Sequence, residues 1–242
     1  SLHDALPISY CDGRYIGADK KIHQTKNFTY RTVFSGWDVF RSQFPLQTLI
    51  NPRLVNDEIN SLIQIAQLSG TEYYPRWEVV NAYSGCMLGN PAISVLADAY
   101  EKGIREYDVQ KAVEYAANTQ KQFGNGDLGY TPGSLSHTLE YAYTDWCLGQ
   151  LMSSLGKKKE AAEYEKRAKA YRNVWCDSVQ WFRARVKGGG WLPWRGRTAQ
   201  DQGTTESNPF QQGWFVPHDI DGMKALMGGQ KKFYAELEEF FA

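Results

Sequence analysis

Surplus charge is missing from this 242-residue chain: Lys and Arg total 27 and Asp and Glu total 27, so the formal net charge is zero. Without a long-range field of either sign, nucleic acid and anionic membrane surfaces are not expected partners. No apolar run approaches the ~18 residues that a membrane-spanning helix needs. No leader with a charged start and an apolar middle opens the chain, so its compartment is not read from a signal peptide. The four cysteines, Cys11, Cys86, Cys147 and Cys176, form no CxxC pair, which argues against a zinc or redox motif. Cys86 and Cys147 lie in apolar, helix-like stretches and are expected as small buried hydrophobes. A fixed repeat of about 33 to 47 residues is absent as well, against an α-solenoid.

Aromatic surface, in contrast, is abundant: 14% of the residues, with eight Trp and fifteen Tyr. Such side chains serve buried helix contacts and stacking on sugar rings alike. The length suits one large domain. Residues 1–9 look unrelated to the rest of the chain and are set aside as extraneous, and residues 10–36 read as an extended linker in which 28–34 alternates like a strand.

From Trp37 onward the pattern is helical. Residues 37–50 are apolar at helical spacing, and Asn51-Pro52 then marks the start of a helix to about residue 68 whose stripe includes Leu54, Ile59, Leu62, Ile63 and Ile65. A further helix is expected over about 86–104, and Asp108 is placed to cap one over 109–123. Residues 135–155 are apolar on nearly every face, as expected of a helix buried all round, whereas 157–174 carries Lys and Glu on one side and reads as an outer, half-solvated partner. Inner and outer helices in αα-hairpins are the footprint of a helical toroid. The loops over 123–133 and 186–208 are rich in Gly, Pro and Trp and are candidate carriers of function.

Three stretches combine acids with aromatics. In Gly36-Trp-Asp-Val-Phe-Arg41, Asp38 and Arg41 are spaced to face the same way, as a surface ion pair or around a hydroxylated ligand. In Thr138-Leu-Glu-Tyr-Ala-Tyr-Thr-Asp-Trp146, Glu140 lies in the most apolar helix, and a buried carboxyl must be paired, hydrogen-bonded or protonated. A protonated one suits the task of a general acid, while a bond to a neighbour such as His137 is the alternative. In Thr205-Glu-Ser-Asn-Pro-Phe-Gln211, the oxygen donors Glu206, Asn208 and Gln211 converge on a hard cation, or else Glu206 and Asn208 cap a helix.

Taken together, these motifs and their order resemble the catalytic domain of glycoside hydrolase family 92, the α-mannosidases of bacteria and fungi. The resemblance is carried by Gly36-Trp-Asp-Val-Phe-Arg41 with Pro45 and Leu46, Ala97-Asp-Ala-Tyr100 with Lys102-Gly103, and Leu139-Glu-Tyr-Ala-Tyr143 with Asp145-Trp146. Glu206-Ser-Asn208 with Gln211, Trp214-Phe-Val-Pro-His-Asp219 and Leu226-Met-Gly-Gly229 complete it. The resemblance implies an all-α (α/α)6 barrel over residues 37–242, incomplete at its C-terminus, that removes terminal α-mannose with inversion and with calcium, in a secreted or periplasmic setting. It implies Glu140 as the general acid and Glu206, Asn208 (through its carbonyl) and Gln211 as calcium ligands. Trp37, Asp38, Arg41, Trp77, Glu78, His218 and Asp219 would bind substrate, a mannose-containing glycan. The family's base, in a Gly-Asn-Asp type motif, has no counterpart here, so an internal fragment, inactive alone, is expected. The alternatives are a non-catalytic glycan-binding or scaffold toroid, and another enzyme of the same barrel class that needs no calcium.

Overall fold

The computed structural model describes residues 6–7 and 12–242, so Cys11 and most of residues 1–9 lie outside the described residues. Helices dominate. Short antiparallel pairs join β1 (Leu6–Pro7) to β4 (Arg31–Thr32) and β2 (Arg14–Ile16) to β3 (Ile22–Gln24). Then come α1 (Gly36–Val39), α2 (Gln43–Ile50), α3 (Pro52–Leu68), the hairpin of β5 (Glu78–Val79) and β6 (Ala82–Tyr83), α4 (Pro91–Glu101) and α5 (Val109–Phe123). They are followed by α6 (Leu135–Ser154), α7 (Lys158–Arg167) and a 3-10 turn over Ala168–Val174. The pair β7 (Trp175–Cys176) and β8 (Trp181–Phe182) precedes α8 (Pro209–Gln212), α9 (Ile220–Leu226) and α10 (Gln230–Phe241).

The chain divides into two compact units, one of residues 1–123 and 147–161, the other of 124–146 and 162–242. In the first, α3 starts as its sequence dictates: the Asn51 side chain accepts from the Leu54 N–H at 3.2 Å and Pro52 fills the first helical position. Its buried face carries Val55, Ile59, Leu62, Ile63, Ile65 and Ala66. Asp108 caps α5, accepting from the Lys111 N–H at 3.0 Å.

Other expectations needed correction. The helix expected from Cys86 starts only at Pro91, because Gly85, Met87 and Gly89 all take positive φ, and Cys86 is exposed in that loop instead of buried. Arg76 holds the loop by donating to the carbonyls of Gly85, Met87 and Gly89. The apolar stretch 37–50 is two helices, since Pro45 fits only the first turn of α2. The strand over 28–34 shrinks to Arg31–Thr32, ended by Val33 at φ +67°.

In the second unit, the first part of α6 is buried through Leu135, Leu139, Tyr141 and Ala142, and its polar residues Ser136, Thr138, Thr144 and Asp145 are buried with them. Each has a partner: Asp145, for one, faces Arg167 at 3.1 Å. The outer helix is shorter than expected, as α7 ends at Arg167 and tightens into the 3-10 turn that buries Tyr171 and Val174. An aromatic cluster around Trp181, with Phe210 and Trp214 at ring distances of 5.3 and 5.5 Å, fills the core beside it. Full burial of a phenylalanine side chain contributes about 1.5–3 kcal/mol.

Candidate active site

Glu140 sits in α6 with 2% of its surface exposed. What brings other candidates to it is Ser136, four residues earlier. Residues i and i+4 share a helix face about 6 Å apart along the axis, so Ser136 and Glu140 look the same way. The Ser136 hydroxyl accepts from the Thr205 N–H at 3.0 Å and donates to Gln212 Oε1 at 2.7 Å. These two bonds bracket Glu206, Asn208 and Gln211. The same loop is anchored by the Gly203 carbonyl, which accepts from Leu135 N at 2.7 Å and Ser136 N at 3.2 Å. Gly203 has φ +82°, and a Cβ there would stand 2.5 Å from that of Ala184 and 2.7 Å from the Gly133 carbonyl, so only glycine fits.

Within the bracket, Asn208 caps α8: its side chain accepts from the Gln211 N–H at 2.9 Å, and Gln211 Oε1 accepts from the Asn208 N–H at 3.1 Å. The Asn208 carbonyl accepts from Gln212 N at 2.9 Å. Glu206, exposed and at φ +53°, makes no side-chain hydrogen bond or ion pair among the described residues. The helix-cap alternative therefore holds for Asn208, with Gln211 and not Glu206 as its reciprocal partner. Among the described residues no three His, Cys, Asp or Glu side chains gather as a metal cluster. One carboxylate and amide oxygens remain as the donor set, hard oxygens of the type calcium prefers, with a lone pair to spare on each capping oxygen.

His218 lies further along the same unit. Its Nε2–H donates to the Ala168 carbonyl at 2.9 Å, which fixes the neutral tautomer, and Nδ1 is buried without a hydrogen bond among the described residues. Tyr171, Tyr143 and Trp146 surround the ring at centroid distances of 5.6, 6.1 and 6.4 Å. Burial pushes its pKa below the ordinary 6.5, against the raising influence of the Ala168 bond and of Asp219. Asp219, expected at the sugar site, is used structurally: Oδ1 caps α9 through the Gly222 N–H at 2.8 Å, and Oδ2 accepts from Tyr171 at 2.5 Å. Burial raises its pKa, but the bonds from Tyr171, Gly222 and Arg172 outweigh that and hold the carboxyl below its usual range.

The remaining candidates belong to the other unit. Trp37, Asp38, Arg41 and Trp77 come together: Trp77 Nε1–H donates to Asp38 Oδ2 at 3.3 Å, and Arg41 lies 4.2 Å above the Trp37 ring while donating to the Trp37 carbonyl at 2.9 Å. Asp38 accepts from the Ser35 hydroxyl and from Trp77, so the Asp38–Arg41 ion pair gives way to a cation–π stack. Glu78, expected to bind substrate, has its carboxylate engaged by the protein itself. It is 0% exposed, and both oxygens are taken by Thr32, Val33, Phe34 and Asn81. Sequence reasoning missed Ser136 and Gln212; the only local signal was a polar residue recurring one turn before Glu140.

A family model described as the glycosyl hydrolase family 92 catalytic domain matches residues 5–242. The chain belongs to that family. An α-mannosidase of family 92 from Bacteroides thetaiotaomicron superposes with a TM-score of 0.92 at 31% identity, covering 97% of this chain and 33% of that one. A family 92 inverting mannosidase from the same organism gives 0.85 at 31% identity, covering 93% and 32%. A protein of Arthroderma benhamiae described as an uncharacterized secreted glycosidase is 29% identical over 198 residues, 62% of this chain and 26% of its own length. This family 92 chain thus spans about a third or less of the length of the relatives it matches.

Proposed function

We propose that this chain is part of an inverting exo-α-mannosidase that removes terminal mannose from glycans outside the cytoplasm, in a secreted or periplasmic protein. The observation that carries the reading is the pair of hydrogen bonds from Ser136 to Thr205 and Gln212, which ties the face of α6 that bears Glu140 to the oxygen-rich stretch 206–211. Family membership and mannosidase neighbours support the substrate class, and one neighbour was solved with mannoimidazole. The pairing of a buried α6 with a charged α7 supports placement in an (α/α)6 barrel.

Glu140 is the general acid in this reading. Its carboxyl would carry the proton that the departing glycosidic oxygen takes up. An inverting mechanism also needs a base carboxylate roughly 6.5–9.5 Å away, with a water between. We assign that base to the part of the relatives' length that this chain does not span, and so propose that the chain alone is inactive. Glu206, the Asn208 carbonyl and Gln211 would hold calcium; they supply fewer than the about six to eight oxygens the ion takes, the rest being water and sugar hydroxyls. Bound there, calcium supplies a positive charge that orients hydroxyls of the mannose. His218 Nδ1, a buried lone pair that costs about 1–3 kcal/mol while unpaired, accepts a sugar hydroxyl; within the other unit, Trp37 and Trp77 offer faces on which a sugar ring can stack.

The test is Glu140→Gln in the full-length parent protein. Loss of an acid lowers turnover about 10²–10⁴-fold on mannosides with poor leaving groups and much less on activated aryl mannosides. Equal loss on both sinks the acid role, and calcium-dependent mannose binding without any turnover by the parent protein would favour a glycan-binding toroid.

A further inference from the structure

We infer that Glu78 is a positioning residue, whose buried carboxylate holds two left-handed backbone segments and thereby aims Trp77 at Asp38. The inference rests on the proposed role of Trp77 and Asp38 at the sugar site. The β5–β6 hairpin turns through Val80 and Asn81 at φ +49° and +64°, the pair of positive values that a two-residue type I′ turn demands. That turn favours Asn-Gly; here a β-branched residue fills its first central position. A second β-branched residue, Val33, stands at φ +67°. Valine at positive φ is a true outlier and persists only when its surroundings over-determine it.

The Glu78 carboxylate is what over-determines both. Oε2 accepts from the N–H of Val33 at 2.8 Å and of Phe34 at 3.4 Å, and Oε1 accepts from the Asn81 N–H and the Thr32 hydroxyl. Its own N–H donates to the Phe34 carbonyl at 3.0 Å. One side chain therefore ties the stretch leading into Ser35–Asp38 to the stretch leading out of Trp77. Ser84 completes the clamp, donating from its N–H and its hydroxyl to the Trp77 carbonyl, each at 3.1 Å. Trp77 is left with its indole N–H on Asp38. Three of the four bonds to the carboxylate come from backbone N–H groups spread over both oxygens, so an amide in its place must turn its NH2 toward at least one of them. Glutamine is thus no substitute for Glu78, although its shape is the same.

The experiment records the indole N–H signals of the eight tryptophans by NMR on the isotope-labelled whole chain, with Trp77 assigned through Trp77→Phe. Glu78→Gln is expected to move the Trp77 signal to where Asp38→Ala puts it and to leave the other indoles in place. Adding Val33→Gly and Val80→Gly, which accept positive φ without help, is expected to bring the signal back. The inference is overturned by a Trp77 signal that stays put in Glu78→Gln, by a shift of all indoles together, or by a triple variant that fails to fold or to restore the signal. No sugar enters the measurement, so its outcome is independent of the Glu140 test.

Discussion

The proton of His218 sits on Nε2, committed to the Ala168 carbonyl, and protonating the buried Nδ1 would require a charge among Tyr143, Trp146 and Tyr171. Its folded pKa lies below the ordinary 6.5 because burial penalises that charge, with Asp219 opposing. Between the two values the unfolded chain binds the proton and the folded chain does not. The stabilising contribution is therefore complete above the ordinary value and is lost as pH falls through the lowered one. Melting temperatures of wild type and His218→Phe, followed from about pH 7.5 to 5, should show the flatter curve in the variant; parallel curves would remove His218 from the acid sensitivity of the fold. Residue types alone could nominate His218, Asp219 and Glu78 but not rank them. The three differ in whether neighbouring groups use up their polar atoms: those of Asp219 and Glu78 are consumed, and Nδ1 of His218 is not.

Among the elements, α8 follows directly on the proposed donor stretch and contains Gln211. Asn208 caps it and in the proposed reading also holds the cation through its carbonyl, whereas Glu206 is exposed and would act on the cation alone. The two substitutions should separate accordingly. Asn208→Ala is expected to cost about 1 kcal/mol of stability through the lost cap and to weaken calcium binding as the carbonyl loses its fixed direction. Glu206→Gln should weaken calcium binding, measured by calorimetry on the parent protein, with the melting temperature unchanged. Unaltered calcium affinity in both would take the ion away from this loop. Elements with a cap or apolar residues on nearly every face were legible from the sequence: α3 behind Asn51-Pro52, α5 behind Asp108, and α6 from Leu135, Leu139, Tyr141, Leu148 and Leu151. Those that were misjudged contain a break that hydrophobicity does not register, Pro45 at the head of α2 and the left-handed Met87 between two glycines ahead of α4.

For the whole molecule, the family was legible from the order of its motifs, while the tie that makes a site of them was not. The bonds from Ser136 to Thr205 and Gln212 join positions 69 and 76 residues apart, and no local pattern encodes such a pairing. The chain spans about a third of the length of the solved mannosidases, and the proposed place of the base outside these residues makes a direct prediction. The chain supplied with calcium and an aryl α-mannoside should show no turnover above background; clear turnover would locate the base within these residues. Finally, the fixing of the loop after β8 at Gly203 and Ser136 has an engineering consequence. The Arg197 carbonyl accepts from the Phe210 N–H of α8 at 2.8 Å and Gln202 binds the backbone at Arg195, Gly196 and Ala199, so that part is tied to the donor stretch. The turn at residues 187–190, upstream of Gly203 and Thr205, can instead vary while they stay registered. Exchanging that turn between family members is therefore expected to leave the melting temperature and the hydrogen bonds at Ser136 and Gly203 unchanged.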